Sequence, residues 1–250
     1  MIISVLNQKG GVGKTTTVIN LGAYLARSGK SVLVVDFDPQ GNATSGLGID
    51  KHVELLTIYD VLVNNKNAVD VIMGTNEKNL HILPANANLS ATDLELAGRE
   101  NREYALKSAL TGLQYDYILI DCPPSLGLLT VNALVASDSL MIPVQAEFYA
   151  LEGLTQLLEV MQKVKKSLNP DLQLLGVLVT MYDNRNSLAR QVYDELEKYF
   201  GDKVFGAIVP RNVRLAEAPS YGKTIAEHDK WSKGAKAYKQ LSKEVIKRVG

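Results

Sequence analysis

The sequence has a single cysteine, Cys122, and no excess of either charge, since its 250 residues include 27 Lys and Arg and 27 Asp and Glu. One thiol excludes an intramolecular disulfide and any metal cluster held by the thiolates of one chain alone, and it favours a reducing, cytoplasmic environment. No apolar run approaches the ~20 residues of a membrane-spanning helix, and the first residues lack the pattern of a secretory signal. With 46% hydrophobic residues, the composition is typical of a soluble globular protein.

The charge is distributed unevenly along the chain. Residues 211–250 contain ten Lys and Arg but only four Asp and Glu, so this end of the chain is basic. Such a segment can present a positive face to a polyanion, or it can simply form the solvated surface of a terminal helix. The neutral total does not by itself indicate a nucleic-acid partner.

Short apolar runs alternate with stretches in which apolar residues recur at helix spacing, as in residues 151–168 and 188–200. The short runs are apolar at successive positions, which is typical of buried parallel strands. This alternation predicts an α/β fold with a doubly wound, mostly parallel β-sheet flanked by helices, and we expect a single domain over residues 1–250. The predicted strands are Ile2–Leu6, Ser31–Val35, Leu80–Leu83, Tyr117–Ile120, Leu140–Val144, Leu174–Val179 and Val204–Ile208.

A glycine-rich loop follows the first predicted strand and precedes a helical pattern, which is the context of a P-loop. Its backbone N–H groups would form an anion-binding nest at a helix N-terminus, and its glycines would let the backbone approach phosphates closely. We expect Lys14 to reach the β- and γ-phosphates and Thr15 to place its hydroxyl on Mg²⁺. The predicted phosphate-binding residues are Lys9, Gly10, Gly11, Val12, Gly13, Lys14, Thr15 and Thr16.

Acidic residues stand at the ends of two other predicted strands. Asp36 and Asp38 follow one strand, and Asp121 follows another. Carboxylates at the carboxyl ends of parallel strands lie over the ligand crevice. We expect Asp121 to bind Mg²⁺ through water, Asp38 to orient the attacking water beside the metal, and Asp36 to support the metal shell or the loop. The neighbouring Cys122 is interpreted as a small buried residue because no histidine stands near it in the sequence.

The loop departs from the ordinary P-loop pattern at two positions: Gln8 stands where the first glycine is usual, and Lys9 follows it. Together with blocks farther along, the chain resembles the ParA/Soj family of chromosome and plasmid partition ATPases, within the deviant Walker A group of P-loop NTPases. The resemblance covers essentially the whole chain. Its motifs are NQKGGVGKTT at 7–16, DFDPQGNAT at 36–44, DCPPSLG at 121–127, PVQ at 143–145, YALEGL at 149–154 and PRNVRLAEAP at 210–219.

The resemblance implies an ATP-dependent cycle. ATP with Mg²⁺ would close a face-to-face homodimer in which Lys9 reaches the phosphates of the other subunit, as an arginine finger does in trans. The dimer would bind double-stranded DNA without sequence preference, and a ParB-type centromere-binding protein would stimulate hydrolysis and release. The segment Pro210, Arg211 and Asn212 would hold the adenine. A nucleoid-associated bacterial protein without a membrane anchor is therefore expected.

DNA contacts are also implied by the resemblance. Arg185 and Arg214 match its DNA-contacting positions, and Lys230 and Lys233 in the basic end would add phosphate contacts. Contacts to phosphates give sequence-independent, salt-dependent binding.

The same residues bear on other possible functions. The nitrogenase iron protein shares the loop but needs two cysteines in each subunit, which this chain lacks. A MinD-like, membrane-associated division-site ATPase stays open because apolar residues recur at helix spacing among lysines near the C-terminus. A nucleotide-gated DNA-binding switch with negligible turnover also stays open, although Asp38 favours hydrolysis.

Overall fold

The computed structural model describes the backbone of residues 1–147 and 150–250, and the side chains of residues 1–147 and 153–250. The sequence block at 149–154 and the apolar position 151 of the predicted helix therefore lie at least partly outside the described residues. The strands are β1 Ile2–Val5, β2 Val32–Asp36, β3 Met73–Gly74, β4 Leu80–Leu83, β5 Tyr117–Asp121, β6 Ser139–Gln145 and β7 Gln173–Thr180. The α-helices are α1 Lys14–Arg27, α2 Asn42–Gly46, α3 Ile58–Leu62, α4 Ala68–Val71, α5 Thr92–Glu95, α6 Ala105–Leu110, α7 Leu128–Ala136, α8 Ala150–Ser167, α9 Ser187–Phe200, α10 Val213–Glu217, α11 Ile225–His228 and α12 Lys233–Val249.

The strands form one sheet in the order β3-β4-β2-β5-β1-β6-β7, and every pair is parallel except β3 with β4. The central strands β2 and β5 are buried at every position, which explains their continuous apolar sequence. In the parallel register Val5 is paired with Asp121, and Asp36 is paired with the same residue from the other side. The carboxyl ends of β1, β2 and β5 therefore meet at one edge, which confirms the predicted fold class.

Two hydrophobic clusters cover the two faces of the sheet. One contains apolar residues of α3, α6, α7, α8 and α9, and the other contains those of α1 and α12. The apolar stripe of α12 belongs to the second cluster, where Tyr238, Leu241 and Val245 are buried. These side chains are therefore already occupied within the fold. None of the helices in the described ranges is long and apolar enough to cross a membrane.

The prediction of a strand at Val204–Ile208 is wrong. The segment runs beside β7 and forms a parallel bridge between Val177 and Val204, and the Phe205 N–H donates to the Val177 carbonyl over 2.9 Å. The N–H groups of the next two residues, however, donate to the carboxylate of Glu244 on α12, each over 3.1 Å. Because Glu244 takes the Ala207 N–H, which would otherwise continue the ladder to β7, the segment bonds to β7 only at separate points and does not become an eighth strand. The short edge strand β3 was not predicted.

Candidate nucleotide site and basic surface

The loop between β1 and α1 has the geometry of an anion nest. Gly11 and Gly13 have positive φ angles of 75° and 91°, a backbone conformation that favours glycine. A Cβ added at Gly10 or Gly11 would meet nothing within 4 Å, so open space lies over the loop. Gly13 is the N-cap of α1, and no side-chain hydrogen bond caps the helix there. Free N–H groups at the start of a 14-residue helix face a region that an anion can occupy.

Lys14 begins α1 and is buried. Its Nζ donates a hydrogen bond of 3.3 Å to the carbonyl oxygen of Lys9. Burial lowers the pKa of Lys14, and the nearby carboxylates of Asp121 and Asp38 act in the opposite direction. A buried ammonium beside an open anion nest is stabilised in its charged form by a bound polyanion.

Asp121 ends β5 and is fully buried, and neither of its carboxylate oxygens has a hydrogen-bond partner among the described residues. Burial and the neighbouring Asp36 raise the pKa of Asp121 well above its usual range. The Thr15 hydroxyl, which is near the carboxylate but does not meet hydrogen-bond geometry in this structure, opposes this change. An unpartnered buried carboxylate is costly unless a cation compensates it. Hydroxyl and carboxylate oxygens are the ligands that Mg²⁺ prefers, so Thr15 and Asp121 fit this ion.

Asp36 and Asp38 are two residues apart in the sequence but have different surroundings. The Asp36 carboxylate accepts hydrogen bonds from the N–H and the hydroxyl of Thr44, both over 2.7 Å, and burial raises its pKa to about 6. Asp36 therefore performs the second of its two predicted tasks: by holding Thr44 of α2, it supports the loop that leads into that helix. Asp38 accepts one bond from the Gln40 N–H over 2.9 Å and is nearly buried. Within the described ranges, no three His, Cys, Asp or Glu side chains gather as a metal cluster.

The Lys9 side chain forms an ion pair within its own chain. Its Nζ lies 2.7 Å from Oε2 of Glu147, which follows β6, and the two side chains are 47% and 46% exposed. The backbone N–H of Lys9 donates to Oδ1 of Asn7 over 3.0 Å, and the Asn7 amide donates to the Pro143 carbonyl over 2.8 Å. The backbone at Lys9 is therefore tied to the end of β6, while its ammonium is in an ion pair accessible to solvent.

A cavity of about 350 Å³ opens beside the loop. Gly13 and Thr16 form part of one wall, and the predicted adenine segment, Pro210, Arg211 and Asn212, forms part of another. The Arg211 N–H donates to the Tyr182 carbonyl over 3.2 Å, which ties this segment to the chain that follows β7. The fold thus brings together two sequence blocks almost two hundred residues apart. Sequence reasoning missed the remaining lining residues, Thr180, Met181, Val209, Val213, Leu215, Ala216 and Tyr238.

The predicted DNA-contacting residues do not all lie together. Arg185 and Lys233 line one wide groove with Arg211 and Lys236, which we call the basic groove. The Arg185 side chain is 86% exposed and forms a two-pronged ion pair with Asp183, which lowers the pKa of that carboxyl to about 2.

Two other predicted residues lie outside the basic groove. Arg214 forms ion pairs with Glu217, at 2.9 Å, and with Asp229, at 3.7 Å. Lys230 lies in a separate hollow beside Trp231. The structure therefore joins Arg185 with Lys233 but not with Arg214 or Lys230.

The fold and its glycine loop define a P-loop nucleotide-binding protein, and comparison with known proteins agrees. A family model described as an AAA domain matches residues 1–174. The chain is 56% identical to the sporulation initiation inhibitor protein Soj of Bacillus subtilis over 246 residues, which cover 98% of this chain and 97% of that protein. It is 49% identical to the chromosome partitioning protein ParA of Caulobacter vibrioides, over 99% of this chain and 94% of that one.

A solved structure shows the same architecture. The Mycobacterium smegmatis protein described as cobyrinic acid a,c-diamide synthase, with a bound ATP analogue and magnesium, superposes with a TM-score of 0.89 at 38% identity, over 98% of this chain and 94% of that one. These similarities cover nearly the whole chain. The protein belongs to the Soj/ParA family of chromosome-partitioning ATPases.

Proposed function

We propose that this protein binds ATP with Mg²⁺, hydrolyses it as a homodimer, and uses the cycle to control its binding to DNA during chromosome or plasmid partition. One observation carries the proposal: two buried charged groups lie beside an uncapped glycine loop. They are the Lys14 ammonium and the Asp121 carboxylate, which has no hydrogen-bond partner among the described residues. One group suits the phosphates and the other suits their cation. Several relatives of the same family are named as chromosome-partitioning proteins.

Each site residue has a task in this proposal. The N–H groups of the loop would hold the phosphates, with Lys14 on the β- and γ-phosphates. Thr15 and Asp121 would hold Mg²⁺, which when bound offsets the negative charge of the phosphate oxygens. Asp38 would lie beside the metal and orient the attacking water, because its second carboxylate oxygen is not used by the Gln40 N–H. The cavity lined by Pro210, Arg211 and Asn212 would take the adenine.

A second subunit would complete the site. In this protomer the Lys9 ammonium contacts Glu147 rather than the loop's own anion nest. In the proposed dimer, Lys9 would leave that ion pair and place its charge on the partner's nucleotide, where charge develops during phosphoryl transfer.

The basic groove would bind the DNA backbone. Lys233 and Lys236 lie on the same groove as Arg185 and Arg211, which concentrates positive charge on one surface of a chain that is neutral overall. Contacts of this kind give affinity without sequence preference and fall steeply with salt. A MinD-like membrane attachment is less well supported, because the apolar stripe of α12 is packed in the core.

The decisive measurement is the rate of ATP hydrolysis with plasmid DNA and the cognate ParB-type protein, each alone and both together. We expect the two to stimulate the rate synergistically and Lys14→Ala to abolish it. Co-sedimentation with DNA and with anionic liposomes, both with ATP, completes the test. A rate indifferent to both additions, or retention by liposomes instead of DNA, would contradict the proposal.

A further inference from the structure

An exposed aromatic ring stands among cations on the side of α12 away from the basic groove. Trp231, just before α12, is 75% exposed. It borders a hollow of about 440 Å³, the indole hollow, whose other walls come from the end of α1 and from α12. Nothing in the proposed nucleotide cycle uses this ring. Lys230, Lys239 and Lys243 are among the residues that line the hollow.

The charge of the indole hollow is positive and largely uncompensated. Among the described residues, no carboxylate lies within ion-pair distance of Lys230, Lys239 or Lys243. Arg27 differs, because it is paired with Glu77 at 2.7 Å. No carboxylate of the described residues neutralises these three ammonium groups, so their charge attracts an anion.

The backbone that carries the ring forms a hydrogen-bonded turn. The Trp231 N–H donates to Oδ1 of Asp229 over 3.1 Å, and the Ser232 hydroxyl donates to the Asp229 carbonyl over 2.9 Å. Ser232 also caps α12 by accepting from the Ala235 N–H over 3.1 Å. The Lys230 Nζ lies 5.3 Å from the ring centroid, a cation–π distance. A flat apolar surface presented by an ordered backbone loses little conformational freedom on binding.

Proteins commonly bind unpaired nucleotides with an aromatic ring beside lysines. The base stacks on the ring, and the phosphates of the strand pair with the lysines. In duplex DNA the bases are stacked on one another, so only their edges and the phosphates face a protein. We propose that the indole hollow binds single-stranded nucleic acid, with one unpaired base on Trp231 and the flanking phosphates on Lys239 and Lys243. This site is distinct from the basic groove and does not depend on the proposed ATP cycle.

The chain contains one tryptophan, so its fluorescence reports this site alone. The full-length protein, without nucleotide, is titrated with the single strand dT20 and with closed circular duplex DNA at low salt. We expect dT20 to quench the emission saturably and the closed duplex to leave it nearly unchanged. Fluorescently labelled dT20 then provides affinities by anisotropy for the variants.

Stacking predicts that Trp231→Ala weakens dT20 binding by about 5- to 150-fold. The affinity of Trp231→Phe should lie between those of the parent and Trp231→Ala. Tyr199→Ala, which removes another exposed aromatic side chain, is the matched control and should bind as the parent does. Lys239→Gln with Lys243→Gln should lower the salt slope by about one to two. Arg185→Glu should weaken duplex binding and leave dT20 binding intact, which separates this proposal from the proposed function.

Unquenched emission at saturating dT20, or equal affinity of Trp231→Ala and the parent, would overturn the assignment. So would a blue shift of the emission with phosphatidylglycerol vesicles but not with dT20, since the hollow would then be a membrane contact.

Discussion

Substitution of Glu147 by Gln tests whether the ion pair within one chain holds Lys9 back from the dimer. The Lys9 Nζ lies 2.7 Å from the Glu147 carboxylate. If Lys9 reaches the partner's nucleotide, as proposed, each protomer must break this pair when the dimer closes. Glu147→Gln removes the charge while keeping the shape of the side chain, so the open form loses an interaction that the dimer does not have.

The size of the effect follows from exposure. Both side chains are nearly half exposed, at 47% and 46%, so solvent screening limits the pair to about 0.2–1 kcal/mol. Two such pairs are broken per dimer, which amounts to about 0.4–2 kcal/mol. We therefore expect the substitution to raise the association constant of the nucleotide-bound dimer by about 2- to 30-fold.

Sedimentation velocity with a non-hydrolysable ATP analogue and Mg²⁺ measures this constant directly. Without nucleotide, both proteins should remain monomeric. The advantage of Glu147→Gln should shrink as salt rises, because the Debye length falls from about 10 Å at 0.1 M to about 3 Å at 1 M. Glu195→Gln, which removes the exposed partner of Lys198 on α9, is the matched control and should leave association unchanged.

An unchanged or weaker dimer in Glu147→Gln would refute the idea that the pair opposes closure. The same conclusion would follow if the gain persisted undiminished at 1 M salt, since an exposed ion pair cannot have that salt dependence.

Three further predictions rest on other parts of the structure. Asp121→Asn should raise the Mg²⁺ concentration needed for half-maximal ATP hydrolysis by about 10- to 100-fold. Its melting temperature without nucleotide should not fall, because the native carboxylate has no hydrogen-bond partner among the described residues; a lower melting temperature would contradict this. Arg185→Glu should reduce DNA co-sedimentation at moderate salt but leave ATP-driven dimerisation intact, with the exposed Arg190→Glu as control; unchanged retention would remove Arg185 from the DNA surface. Cys122 is buried and its pKa is raised by burial, so alkylation by iodoacetamide in urea should follow global unfolding, and rapid reaction of the native protein would refute its inert role.

The nucleotide loop and the strand ends could be predicted because their signals are local. A glycine-rich run after an apolar strand needs neighbours only within the same segment, and parallel strands bring Asp36 and Asp121 to one edge in the observed register. The separate tasks of these carboxylates could not be predicted. Asp36 is satisfied by Thr44 of α2, eight residues farther along the chain, whereas Asp121 has no hydrogen-bond partner among the described residues.

The wrong strand at Val204–Ile208 has a non-local cause. Its apolar sequence suits a strand, and the segment does lie along β7. Glu244 on α12, about forty residues later, captures two of its N–H groups. The positions of Arg214 and Lys230 outside the basic groove also depend on the tertiary fold: Arg214 pairs with Glu217 and Asp229, and Lys230 lies beside the end of α1. The number of charges along the chain cannot show this.

One short segment belongs to both of the proposed binding surfaces. Pro210, Arg211 and Val213 line the cavity beside the loop and also the basic groove. Because the same backbone forms part of both walls, we expect a nucleotide that fixes this segment to fix one side of the groove, and bound DNA to fix one wall of the nucleotide cavity. Coupling of this kind is reciprocal in free energy. If ATP raises the affinity for DNA by some factor, DNA must raise the affinity for ATP by that same factor, with no need for a separate relay between the two surfaces.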